Sequence, residues 1–99
     1  MLLKLGVDIS RLKSPIRKKL NIIDSICILL GGSEAILTST YEGSHSPSSL
    51  HHADLAIDVR RYSEKISERI IEKLKTDLGP NYDAVFESDH IHIEYDPKT

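Results

Sequence analysis

The chain holds five histidines, and they fall in two short windows: His45, His51 and His52 in one, His90 and His92 in the other. His51 stands where a polar loop meets an apolar run, and Asp58 follows it by seven residues. His90 and His92 are separated by one residue, so in an extended segment both rings share a face. Two imidazoles and one carboxylate suit Zn²⁺, and three protein ligands leave a fourth position open to water, the pattern of a catalytic site rather than a closed structural one. His51, Asp58 and His92 are therefore the candidate ligands. The competing reading of the same residues is a solvated loop and the polar face of a strand. A thiolate zinc finger is excluded, because Cys27 is the only cysteine. A Ser49-His51-Asp58 triad is disfavoured, because no glycines of a nucleophile elbow flank Ser49.

These side chains need elements to carry them. Ser14-Pro15 is a helix start, a capping hydroxyl followed by proline at the first helical position, and Gly31-Gly32 is a stop. Ile16, Leu20, Ile23, Cys27 and Leu30 recur at steps of four and three between them, which predicts a helix over 15–30; Ile22, Ile26 and Leu29 widen the stripe and predict deep burial of its second half. Ile66, Ile70, Leu74 and Leu78 predict a second helix over 63–78, closed by Gly79-Pro80, with Lys65 and Glu68, Arg69 and Glu72, and Glu72 and Lys75 spaced for surface pairing. Strands are expected over 35–41 and 55–60, and over 82–95 as a hairpin around Ser88-Asp89. Leu55, Ile57 and Val59 alternate with Ala56, Asp58 and Arg60, and Ile91, Ile93 and Tyr95 alternate with His90, His92 and Glu94, so each strand has one core face and one polar face. The expected architecture is α+β, a small antiparallel sheet with two main helices in a single domain over 1–99.

Composition narrows the function classes. With 99 residues there is room for one core. A formal net charge of -2 provides no basic footprint of the kind that neutralises nucleic-acid phosphates, so no nucleic-acid partner is expected. The apolar run at 22–30 is interrupted by Asp24 and Ser25 and is too short to span a bilayer. The N-terminal apolar stretch is too short for a signal peptide, which places the expected product in the cytoplasm of the producing cell. Cys27 lies within an apolar run and reads as a small core hydrophobe.

The run Ser49-Leu50-His51-His52-Ala53-Asp54-Leu55-Ala56-Ile57-Asp58 resembles the S-x-H-x-x-G-x-A-x-D motif of the zinc D-alanyl-D-alanine carboxypeptidase and L-Ala-D-Glu endolysin peptidases, the family that shares its fold with the hedgehog signalling domain. Downstream, Asp89-His90-Ile91-His92 resembles the family's second signature, an acidic residue three before the last zinc-binding histidine. The likeness covers about residues 14 to 96, with both signatures in the family's order. It implies a hedgehog/DD-peptidase-like fold, zinc held by His51, Asp58 and His92, and Asp89 as general base. Glu87 stands three before His90 and offers a competing register; the apolar Ile91 immediately before His92 favours the first. Asp89 also fits a plain hairpin-turn residue.

Two positions depart from the family pattern. Asp54 replaces a glycine, which calls for a left-handed backbone that Asp visits more readily than most residues. Tyr41-Glu42 stands where many members have an arginine that stabilises the oxyanion; His45 is the candidate for that role, with a solvated loop histidine as the alternative. His52 and His90 are candidates for contacts around the ligands. The resemblance implies a peptidase acting on peptidoglycan stem peptides, of phage endolysin type, reaching the wall after release or as part of a virion. The alternative is a non-catalytic zinc-stabilised structural or binding module, such as a virion component.

Overall fold

The computed structural model describes residues 1–41 and 53–97. Its elements, in chain order, are β1 (Leu2–Leu3), α1 (Ser14–Arg17), α2 (Leu20–Gly31), β2 (Ile36–Ser39), β3 (Ala56–Arg60), α3 (Glu64–Leu78), β4 (Tyr82–Phe86) and β5 (His90–Tyr95). The α+β class is as expected. The sheet differs from the all-antiparallel expectation: its order is β1-β2-β3-β5-β4, and β1 runs parallel to β2 while the other neighbours are antiparallel. With two residues, β1 carries too little alternation to be read from sequence.

The expected first helix is divided. The Lys19 amide bonds to the Ile16 carbonyl three residues back, a tight turn that separates α1 from α2 at Lys18 and Lys19. Ser14 is the first helical residue and not the cap; Lys13, in extended conformation, takes that place without a side-chain cap bond, and Pro15 sits in the first turn. At the other end Gly32 adopts the left-handed conformation expected of a glycine stop, φ 79°, and donates to the Ile28 carbonyl. Only one face of α2 is buried. Ile23, Ile26 and Cys27 are in the core, whereas Ile22 and Ile28 are exposed and Leu29 is 71% exposed, contrary to the deep burial predicted. Of the three residues that widen the stripe, Ile26 is buried as expected, while Ile22 and Leu29 lie at the margin of the packed face. Cys27 is enclosed as expected, and burial pushes its thiol up to about 11.

The second helix, α3, follows its sequence signals closely. Ser63 caps it by accepting from the Ile66 amide at 3.3 Å, and Ile70, Ile71, Leu74 and Leu78 are buried. Among the described residues its ion pair is Lys73–Asp77 at 3.3 Å, four apart, in place of the three-apart pairs expected. The two long helices and the inward faces of β2, β3, β4 and β5 enclose one core, with Leu37, Ile57, Val59, Ala84, Ile91 and Ile93 on the sheet side.

A close helix-to-loop contact sits beside the core. A Cβ built on Gly31 would lie 2.4 Å from the Tyr62 ring, and that ring is tied down because its hydroxyl donates to the Ser33 carbonyl at 2.7 Å. Gly31→Ala therefore forces the ring or the helix end to move. The expected loss is about 1 to 3 kcal/mol, read as a lower denaturation midpoint at unchanged m-value. An unchanged midpoint would show that Tyr62 shifts freely.

Candidate functional site

The central strands β3 and β5 place Asp58 directly opposite His92, flanked by the pairs Ile57–Ile93 and Val59–Ile91 that face the core. Because alternate residues point to opposite faces, the burial of those isoleucines and valine turns Asp58, His90, His92 and Glu94 to the other side. Ser39 on β2 pairs with Asp58, and Val85 on β4 pairs with His92, so one row crosses four strands. This face of β3 is more enclosed than its polar residues suggested. Ala56 is fully buried and Asp58 is 6% exposed.

His92 is held at both ring nitrogens. Its Nδ1 lies 3.0 Å from Asp58 Oδ1 and its Nε2 lies 2.7 Å from Glu94 Oε1. The Asp58 hydrogen bond raises the His92 pKa above the usual 6.5; burial opposes the shift and Glu94 reinforces it. A histidine whose folded value is raised contributes stability that is fully present below 6.5 and disappears as the pH climbs through the folded value. Metal-free protein is therefore expected to lose stability from 6.5 upward through this one group. Chemical denaturation of wild type and His92→Gln across that range checks it: the difference between the two should shrink as the pH rises.

The remaining described candidates lie at the hairpin end. Asp89, in the connection 87–89, is 84% exposed, and its Oδ1 meets His90 Nδ1 rather than His92. His90 Nε2 stands 3.6 Å from Asp58 Oδ1 and 3.9 Å from Glu87 Oε1. His90 thus bridges the acidic turn and the Asp58 carboxylate. His45, His51, His52 and Ser49 lie outside the described residues.

Adjacent donors on a tetrahedral zinc with bonds of about 2.0 to 2.2 Å are separated by about 3.3 to 3.6 Å. Asp58 Oδ1 and His92 Nδ1 stand at a hydrogen-bond distance, 3.0 Å, a little closer than two neighbouring ligands of such an ion. Among the described residues, the group of three His, Cys, Asp or Glu donors mutually within 4.8 Å is Asp83, Glu94 and Asp96. Among the described residues no such group of three contains Asp58 and His92.

Comparison with protein-family models, with curated proteins and with solved structures gave no match.

Asp54 carries the backbone conformation anticipated where it replaces a glycine, with φ 61°. Its carbonyl accepts from the Lys13 amide at 3.1 Å, while its buried Oδ1 is 3.6 Å from Arg11 Nε, an ion pair without a hydrogen bond. The Arg11 guanidinium lies over the Tyr41 ring, 4.2 Å from its centroid, and the Tyr41 hydroxyl donates to Asp8 at 3.1 Å. A cation from the N-terminal segment thus stands beside Tyr41. Sequence spacing held no signal for that meeting, since Arg11 and Tyr41 are thirty positions apart. Glu94 was also passed over, although its alternation with His92 already placed both on one strand face.

Proposed function

We propose that the chain is a zinc peptidase domain of the hedgehog/DD-peptidase-like type, acting on peptidoglycan stem peptides as an endolysin or a D-Ala-D-Ala carboxypeptidase does. The observation that carries this reading is the direct pairing of Asp58 with His92, two residues drawn from separate sequence signatures, which brings their donor atoms side by side. In this reading Asp58 and His92, with His51, hold Zn²⁺. When bound, zinc supplies Lewis acidity that polarises a peptide carbonyl and makes water more acidic. Asp89 accepts the proton of the attacking water and returns it to the leaving amine, and His90 orients the Asp89 carboxylate through Nδ1. His45 is the proposed donor to the developing oxyanion.

One observation favours a second reading, a non-catalytic zinc-stabilised module such as a virion component. Asp89 is largely exposed and engaged with His90, a placement that also suits a simple turn residue. Among the described residues no helix is long and apolar enough to cross a membrane. Access to the wall after release or from a virion belongs to the proposal. Metal content of the purified protein, with the mass of any fragment released from peptidoglycan, tests the peptidase reading; zinc without release favours the module.

A further inference from the structure

We propose that Glu94 is the positioning residue for His92, fixing the ring so that Nδ1 faces the metal position beside Asp58. This rests on the zinc reading above and deepens it. A neutral imidazole has one N–H donor and one bare nitrogen, and which is which depends on the partner each nitrogen finds. Glu94 Oε1 lies 2.7 Å from Nε2, and an ionised carboxylate only accepts, so it holds the proton on Nε2. Asp58 Oδ1, 3.0 Å from Nδ1, takes the other proton of the metal-free ring; an ion held there would replace that proton, so the Nδ1 lone pair would go to the ion while Nε2–H stays on Glu94. Ligating histidines are commonly oriented in this way by a carboxylate on the far nitrogen.

The surroundings of Glu94 reinforce the arrangement. Strand alternation puts Glu94 on the same face as His92, and it pairs across β4 and β5 with Asp83. The carboxylates of Asp83, Glu94 and Asp96 have oxygens mutually within 4.8 Å, yet Glu94 is the one of the three that meets a His92 nitrogen among the described contacts. Both partners are largely enclosed, with side chains 14% and 21% exposed, which keeps water from competing for the bond. Asp83 belongs to the same acidic group and carries the same charge, and among the described contacts the His92 nitrogens are met by Asp58 and Glu94 instead. It therefore separates a specific hydrogen bond from a general field.

The test is zinc competition against a chromophoric chelator, with the visible spectrum of the cobalt-substituted protein as a second reading. Glu94→Ala is expected to weaken zinc by about 10 to 100-fold, the usual worth of an outer-shell partner, and to shift the cobalt bands because the imidazole is no longer held. Glu94→Gln, whose amide oxygen still accepts from Nε2–H, should restore most of the affinity and the wild-type bands; Asp83→Asn should leave both unchanged. Wild-type affinity and spectrum in Glu94→Ala overturn the proposal, and so does an equal loss in Asp83→Asn, which would make the effect one of net charge. Failure of the zinc reading itself looks different: wild type, His92→Ala and Asp58→Ala would then all bind zinc alike.

Discussion

One zinc per chain is the expected result for the purified protein, with tight binding abolished in Asp58→Ala, in His92→Ala and in His51→Ala. Each removes one of three protein ligands, so the loss should exceed the about 10 to 100-fold expected for an outer partner such as Glu94. Asp58 and His92 make the sharper pair of tests. Their side chains are opposed across β3 and β5, and removal of either leaves the other enclosed without its 3.0 Å contact. Chelation should lower the melting temperature, because a ligand that binds only the folded chain adds its free energy to a domain whose small core supplies little surplus. An unchanged melting temperature in metal-free protein would mark the site as peripheral to folding. Full zinc occupancy in His92→Ala would shift the ligand to His90, already 3.6 Å from Asp58, and the base to Glu87.

Where the sequence was readable, local chemistry and tertiary packing agreed. The alternation of Ile57 and Val59 with Asp58, and of Ile91 and Ile93 with His92, predicts both strand faces, and the core selects the same apolar set. Ser63 caps α3 because a hydroxyl at that point can meet a free amide whatever surrounds it. Asp54 takes the left-handed backbone that the resemblance implied for it. What could not be read depends on partners distant in the chain. Apolar spacing shows that Ile22 and Leu29 extend a stripe, but not that the fold leaves them exposed. The break at Lys18 and Lys19 is one shortened hydrogen bond inside a periodic pattern. For the site, motif positions singled out Asp58 and His92, while the contact of Arg11 with Tyr41 and the grip of Glu94 on His92 arise only once the strands and the N-terminal segment are assembled.

Asp89→Asn is expected to keep zinc and fold while reducing turnover on peptidoglycan by about 10² to 10⁴, the range for a positioned proton transfer. Fold and metal should survive because Asp89 is 84% exposed in the β4–β5 connection, bonded to His90 and not to either described ligand. The substitution retains an oxygen that can face His90 Nδ1 but removes the basicity a proton acceptor needs. Wild-type turnover in Asp89→Asn would remove Asp89 from the chemistry and leave Glu87 or His90 as the group that moves the proton. If the wild type itself releases no fragment while holding zinc, the exposed carboxylate is a turn residue and the domain binds rather than cuts.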